Sequence, residues 1–454
     1  MIGGKRMSTQ TVLSAKGRLK VLFDGGVFTE IASSVKSGDD LSGVVTAFGY
    51  VNENPVYAFA QDPENKNGAL TKEQTKKLVK IYDLAAKTGL PVVGIYDSYG
   101  ADVSDAVIAL DGYGEWLNRV STLSGVVPQI SLIAGTCAST AAMIAVSADF
   151  VVMTKEAELF ITPNSEDKEL SVTAAQNGTA SIVCDDFESS AQTVKDIISR
   201  LPQNNISEVP MFEFSAPATL DFSNAEKSAE SIFDDGSVLE LYADFGRSAY
   251  TALATLNGAS VGVVATNKSE KKLNADDASK IARFVRTCDA FSLPVITLVD
   301  TKGFASCEKA QINGAVKQQA KVASAYAEAT TIKVSVVLGK AYGSAFIALA
   351  GKSANSDMVY AVDTAVISSI DPITAVEFLY HDKLKGAEDV KSLRESLAKE
   401  YEVNEASAGK AAEKMAVDEV VSKEDIRSSI ISAIEMLVGK RVSNLPKKHS
   451  NSPF

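Results

Sequence analysis

The segment LPVVGIYDSYG at residues 90–100 returns as LPVITLVDTKG at residues 293–303, a displacement of 203 residues. Upstream, NPVYAFAQD from Asn54 matches ASVGVVATN from Ala259 at a displacement of 205, and downstream QISLIAGTCASTA from Gln129 matches KVSVVLGKAYGSA from Lys333 at 204. Three blocks at a steady offset describe a duplicated domain. Each copy is long enough to own a core, unlike solenoid repeats of roughly 20–50 residues.

Both copies run in the same order: a β-rich strand, a polar turn, an amphipathic helix, a Pro-introduced apolar strand, a longer stretch, and another apolar strand. A Gly-bearing turn then leads into a helix of small residues. This alternation predicts an α/β fold. The first helix opens at Thr71 with Gln74 three residues on, the spacing of a capping box, and turns Leu78, Tyr82 and Ala85 inward. Its counterpart opens near Asn274 with Ile281, Phe284, Val285 and Cys288 on one face. Between Pro163 and about Leu239 the repeat lapses into polar stretches such as NSEDKE, which read as loops. The expected domains are therefore 1–205 and 241–454, with 206–240 as the connection. After Pro372 the pattern becomes helical and charged.

Composition narrows the chemistry. The 454 residues carry 45 Lys plus Arg against 57 Asp plus Glu, a net charge of −12, which argues against nucleic acid as a partner. No apolar run approaches the ~18 residues of a membrane-spanning helix. MIGGKRMSTQ lacks the apolar segment and cleavage site of a signal peptide, so the expected location is cytoplasmic, with peripheral attachment to a membrane complex left open. The four cysteines, Cys137, Cys184, Cys288 and Cys307, are too scattered for a zinc ribbon or CxxC site and are expected to be buried free thiols; no metal site is expected. The two histidines, His381 and His449, have no nucleophile motif beside them, which disfavours a serine or cysteine hydrolase.

The candidate chemistry lies in the two turns ISLIAGTCASTAAMIAV and VSVVLGKAYGSAFIALA. A strand feeding a helix this way points the first backbone N–H groups of the helix outward with the dipole behind them, suited to an anion or enolate oxygen. Tight small-residue packing explains one such turn equally well. Two at matching places favour a site.

Over nearly its whole length the chain resembles the carboxyltransferase subunits of biotin-dependent acyl-CoA carboxylases and the related methylmalonyl-CoA decarboxylase α chains. The likeness rests on the blocks SGVVPQISLIAGTCA, ADFVVMTKEAELFITPN, KIARFVRTCDAFSLPVITLVDTKGF and YAEATTIKVSVVLGKAYGSA. It implies two tandem crotonase-like (ClpP/crotonase) ββα-spiral domains, with a CoA thioester bound mainly by the first and biotin mainly by the second. By this resemblance Ser139, Thr140, Gly343 and Ser344 form paired oxyanion cradles. Ser98, Gly100, Ala101, Gly135, Cys137 and Ala138 lie on the CoA side, and Gly303, Phe304, Tyr342 and Ala345 on the biotin side. The implied activity moves a carboxyl group between carboxybiotin and a short acyl-CoA, propionyl/methylmalonyl or acetyl/malonyl.

No biotin-attachment sequence and no ATP-grasp module occurs. The implied partners are therefore a biotin carboxyl carrier protein and biotin carboxylase or membrane decarboxylase subunits, with the chain itself a homo-oligomer, a dimer or trimer of dimers. Departures from the family pattern concentrate in the first copy. GPCAGGA becomes GTCASTA through Thr136, Ser139 and Thr140, and DSGGAR becomes DSYGAD through Tyr99 and Asp102. These changes are expected to narrow the first turn and to set a negative charge beside it. In the second copy the changes are Ser344, Thr301, Lys302, and Lys317 for an Arg. Alternative readings are a non-catalytic scaffold paralogue, the α chain of a sodium-pumping methylmalonyl-CoA decarboxylase, and a crotonase-type hydratase. The hydratase would need a cradle Glu, for which Glu156 and Glu158 are poor candidates.

Overall fold

The computed structural model describes residues 13–37, 40–41, 43–161, 169–354, 356–442, 445–451 and 453. The N-terminal MIGGKRMSTQ and most of NSEDKE fall outside them. The chain divides after Ser207 into Met1–Ser207 and Glu208–Phe454.

Each unit is built on one mixed sheet. In the first, the order is Phe28–Ile31, Val44–Val51, Asn54–Gln61, Val92–Ser98, Gln129–Ala138, Phe150–Thr154 and Ile182–Cys184. The first three strands pair antiparallel, and every later step along that order is parallel. The second sheet repeats the plan with Leu239–Leu241, Tyr250–Leu256, Ala259–Ala265, Val295–Thr301, Lys333–Tyr342, Met358–Val362 and Glu419–Val421. The central strands are buried on both faces, as parallel strands covered by helices require.

The covering helices follow from their caps and stripes. Lys72–Thr88 begins where Gln74 Oε1 accepts the Thr71 N–H at 3.0 Å, and ends at Gly89 in the left-handed conformation. Its Leu78, Ile81, Tyr82 and Ala85 are buried against Ala106–Leu123, where Trp116 packs on Phe59, Tyr96 and Tyr113. Complete burial of each such side chain contributes about 1.5–3 kcal/mol. In the second unit, Asn274 Oδ1 accepts the N–H groups of Asp276 and Asp277, and Ala275–Ala290 packs on Ala315–Glu328 with Ile281, Phe284, Val285 and Cys288 buried.

Residues 208–240 are more than a connection. Asn224 caps a helix, Ala225–Ile232, whose Ala225, Ala229 and Ile232 are buried. The following Asp234 accepts hydrogen bonds from the Thr255 hydroxyl and the Asn257 and Gly258 N–H groups and pairs with Arg427 at 2.6 Å, which holds the segment to the second unit. The helical region after Pro372 has its own small core of Val376, Leu384, Leu397 and Ala398. Of the four free thiols only Cys137 and Cys288 are buried; Cys184 is half-buried and Cys307 is exposed at the start of a short helix, against the expectation for all four. His381 and His449 are both exposed.

Candidate active site

Both turns arise from one irregularity of the sheet. Val92–Tyr96 pairs in register with Gln129–Ile133, but the next pair is Ser98 with Cys137, so the longer strand carries two extra residues. Val295–Val299 and Lys333–Val337 pair likewise, and Thr301 then meets Ala341 with the same excess. Such a bulge leaves backbone N–H groups without ladder partners. An aspartate near the end of the shorter strand supplies the acceptor. Asp97 Oδ1 takes the Thr136 N–H at 3.1 Å, and Asp300 Oδ1 takes the Lys340 N–H at 2.8 Å. Gly339 has to be glycine here, because a Cβ would lie 2.5 Å from the Asp300 carboxylate.

The loop after the shorter strand is fixed the same way twice. Gly100, with φ +98°, donates its N–H to Ser98 Oγ at 3.0 Å, and Gly303, with φ +101°, donates to Thr301 Oγ1 at 3.3 Å. Ala101 bridges Leu70, and Phe304 bridges Leu273, each through two backbone hydrogen bonds of 2.7–3.1 Å. Short strands, Glu158–Phe160 and Val366–Ser368, flank the longer strands beyond the bulge. Glu158 stands opposite Thr136 on that flank.

The turns themselves lie at Ser139 and Gly343. Ser139 has φ +53° and opens the helix Ser139–Ala145; Gly343 has φ +58°, gives its N–H to Ser368 O at 2.9 Å, and precedes the helix Ser344–Ala350. The left-handed conformation costs a serine about 1–2 kcal/mol and a glycine almost nothing. The opening N–H groups of a helix have no intrahelical acceptor. Ser98, Gly100, Ala101, Gly135, Cys137, Ala138, Ser139 and Thr140 thus gather around the first turn, and Gly303, Phe304, Tyr342, Gly343, Ser344 and Ala345 around the second.

Spacing separates the two. A Cβ on Gly100 would meet Thr140 Oγ1 at 2.9 Å, Ala138 O at 3.1 Å and Ser139 Cβ at 3.3 Å, so the loop lies flush against the first turn. At Gly303 the nearest atom is Tyr342 O at 3.5 Å. The Tyr113 phenol lies below the first turn, facing Ser98 and Thr140 without a well-aligned bond to either, and burial pushes it up so that it keeps its proton. Burial, reinforced by Asp97, likewise raises the Cys137 thiol and leaves it a poor nucleophile. Tyr99 is exposed at the rim, with its ring edge-on to Phe160 at 6.1 Å. In the second turn Tyr342 is buried, and Ser344 Oγ donates to Gln319 Oε1 at 3.2 Å. Lys302 and Lys317 are exposed.

Sequence reasoning missed two supports of the first turn. Arg18 Nη2 pairs with Asp97 Oδ2 at 2.7 Å, both side chains almost wholly buried, and so braces the carboxylate that holds Thr136. Asp102, expected to place a negative charge at the site, is internally compensated. Burial alone would raise its carboxyl, but Lys66 at 2.6 Å and the hydroxyl and N–H of Ser104 outweigh that and hold it below the usual range. The aspartates were visible as the shared Asp of the two echoed strands, whereas Arg18, 79 residues from Asp97, leaves no local signal.

Among the described residues, no group of three or more His, Cys, Asp or Glu is placed to hold a metal, and no helix is long and apolar enough to cross a membrane.

A model of the carboxyl transferase domain matches residues 12–452. The methylmalonyl-CoA decarboxylase subunit alpha of Propionigenium modestum is 35% identical, with 100% of this chain and 96% of that protein aligned. The propionyl-CoA carboxylase beta chain of Saccharopolyspora erythraea is also 35% identical, over 97% of this chain and 90% of its own. The solved structure of transcarboxylase 12S, a hexamer with methylmalonyl-CoA and methylmalonic acid bound, superposes with a TM-score of 0.91 at 32% identity, covering 97% of this chain and 92% of that one.

Proposed function

The chain belongs to the carboxyl transferase domain family, and from that premise we propose that it is the carboxyltransferase component of a biotin-dependent enzyme acting on a short acyl-CoA. Relatives named for methylmalonyl-CoA and propionyl-CoA make these the first substrates to test. The observation that carries the reading is the pair of matched turns, each with a positive-φ residue leading into a helix and a glycine loop held beside it.

In the first unit, Ser98, Gly100, Ala101, Gly135, Cys137 and Ala138 frame the thioester, with the backbone at Ser139 and Thr140 facing its carbonyl oxygen. An enolate formed there places charge on that oxygen, and preorganised N–H donors stabilise it more than they stabilise the ground state. The second turn fits a flat ureido ring. Gly303 leaves the loop open, and glycine is needed at 343, where a Cβ would come within 3.0 Å of Ser369 O. Gly303, Phe304, Tyr342, Gly343, Ser344 and Ala345 would hold biotin, which supplies the carboxyl-carrying nitrogen when bound. Tyr342, which burial keeps protonated, and the buried Phe304 exclude water beside it. No histidine or thiol of the chain is required for this chemistry.

Biotin arrives on a separate carrier protein, and the chain works as a homo-oligomer with biotin carboxylase or decarboxylase subunits. The filled first turn supports one second reading, a scaffold subunit that has lost its thioester.

The test is decarboxylation of methylmalonyl-CoA and malonyl-CoA by the purified chain, with free biotin and then a biotinylated carrier. Turnover that requires biotin is the expected result. Absence of turnover together with absence of CoA-ester binding in calorimetry would transfer the assignment to the scaffold.

A further inference from the structure

The second sheet carries two crossover helices on one face. Ala275–Ala290 lies between the strands Ala259–Ala265 and Val295–Thr301, and Ala315–Glu328 between Val295–Thr301 and Lys333–Tyr342. These strands are parallel neighbours, so the helices pack side by side and run the same way. Their inward stripes, with Phe284 and Val285 on one and Val322 and Tyr326 on the other, are buried. The stripe left outside is basic. Arg283, Arg286 and Lys317 are exposed, and Lys321 is half-buried and donates from Nζ to the Ser279 hydroxyl of the neighbouring helix at 3.4 Å. Burial, reinforced by Lys317, Arg286 and Arg283, pushes the Lys321 ammonium below its ordinary value, so the charged neighbours that move it are all cations. Most acids of the two helices are engaged elsewhere. Asp277 accepts the N–H groups of Ser248, Ala249 and Asn274, Asp289 accepts those of Thr330 and Thr331, and Glu328 pairs with Lys447 at 3.5 Å; Asp276 stands in an opening turn. Four cations thus share a two-helix face of a chain whose net charge is −12.

This basic face adjoins the second turn. Gln319 stands between Lys317 and Lys321 on one helix, and its Oε1 accepts the Ser344 hydroxyl at 3.2 Å. From the level of Ser279 to that of Arg286 the face runs about 10 Å along the helix axis. Like charges gathered in this way raise a local potential that attracts an anionic partner and speeds its encounter. Resting on the carboxyltransferase reading, we propose that the face is the docking surface for an acidic partner, the protein that carries biotin to the second turn. The partner's carboxylates meet Arg283, Arg286 and Lys321, while its biotinylated lysine reaches the turn beside Gln319. Exposed charge pairs add little to affinity, so the face acts mainly on the rate of encounter, and its effect fades with salt.

The experiment uses the full-length chain, wild type and Arg283→Gln/Arg286→Gln/Lys321→Gln, with circular dichroism and a melting curve to check folding. Single variants Arg283→Gln and Arg286→Gln, at exposed positions, take its place should the triple variant misfold. The carboxyl acceptor in methylmalonyl-CoA decarboxylation is free biotin, a biotinyl-lysine peptide flanked by glutamates, or the same peptide with glutamines. At an ionic strength of about 10 mM, where the Debye length is roughly 30 Å, the wild type is expected to favour the glutamate peptide about tenfold in kcat/KM. High salt is expected to erase that preference. The variant is expected to reduce it to within about twofold at low salt, while kcat/KM with free biotin and KM for methylmalonyl-CoA stay in place. Equal use of the two peptides by the wild type, a preference indifferent to salt, or a preference that the variant keeps would overturn the proposal. Turnover with free biotin tests the reading beneath it. If neither protein turns over with any acceptor, that reading falls, and fluorescence anisotropy of the labelled peptides decides the face alone. Tighter binding of the glutamate peptide by the wild type, lost in the variant, would then sustain an acidic docking surface, and equal binding of both peptides would overturn it.

Discussion

The two halves solve one structural problem with different materials. Each must end a bulged strand in a turn that opens a helix, and each uses an aspartate and a hydroxyl residue at the end of the neighbouring strand. In the first half Asp97 is locked by buried Arg18, the turn residue is a strained serine, and the glycine loop lies flush against it. The second half keeps glycine at the turn and an open loop, and no echo of the Arg18 segment precedes it in the duplicated blocks. Backbone geometry is thus what the duplication preserved. The side chains over it were free to diverge, and they diverged on the side assigned to the acyl-CoA.

The strongest way to break this contrast is at Arg18. Arg18→Met takes the charge partner from the buried Asp97 carboxylate, and loss of one partner of a buried pair costs about 3–5 kcal/mol. Chemical denaturation is expected to show the first unit melting ahead of the second. Coincident melting at wild-type stability would mean that the pair does not brace the turn.

Glycine-to-alanine changes in the two loops sharpen the difference in closeness. Gly100→Ala is expected to cost about 3 kcal/mol, from a positive φ and three contacts of 2.9–3.3 Å, and Gly303→Ala about 1–2 kcal/mol from φ alone. Equal melting shifts would show that the loops are equally open.

Lys77 and Lys280, buried equivalents in the two copies, separate the halves by pH. Burial, reinforced by Lys268, pushes the Lys280 ammonium down to about 7, while it donates to the carbonyls of Tyr242, Phe245 and Ala249; burial pushes Lys77 down to about 8. A lysine whose folded value lies below its ordinary 10.5 binds more protons unfolded than folded between the two. Stability therefore rises with pH across that window, by ~1 kcal/mol per pH unit, starting near 7 for Lys280 and about one unit later for Lys77. The share of the slope that begins near pH 7 should be missing from Lys280→Met when its melts at pH 6.5 and 9 are compared with those of the wild type, while the share that begins near 8 remains.

The smallest effect is expected at the turn residue. Ser139→Gly relieves left-handed strain but adds unfolded-state entropy, for a net gain of about 0.5 kcal/mol. Gly343→Ser is expected to lose about 1–3 kcal/mol, because φ 58° with ψ −133° is a glycine conformation and the added Cβ would come within 3.0 Å of Ser369 O. A loss at both positions would mean that Ser139 makes a contact worth more than its strain.

Much of this architecture was legible in the sequence because local rules and the repeat point the same way. Thr71–Gln74 and Asn274 announce their helices, and the echoed strands carry Asp97 with Asp300 and Gly100 with Gly303. Even the strain at Ser139 was available, since it stands opposite Gly343 when the copies are aligned. The helix Ala225–Ile232 was missed because eight residues with apolar positions 225, 229 and 232 give a weak period amid polar neighbours. The Arg18–Asp97 and Lys66–Asp102 pairs were illegible for another reason. Each joins residues 36 or more positions apart, and no spacing rule connects them.

The most direct test of the division of labour between the halves removes the two equivalent hydroxyls, Ser98→Ala and Thr301→Val, and measures KM for acyl-CoA and for biotin separately. Each hydroxyl holds one glycine loop, so its loss is expected to raise one KM by roughly 3–10-fold. Ser98→Ala should raise KM for the acyl-CoA and leave that for biotin in place, and Thr301→Val should do the reverse. The same KM rising in both variants, or the two effects exchanged, would contradict the account.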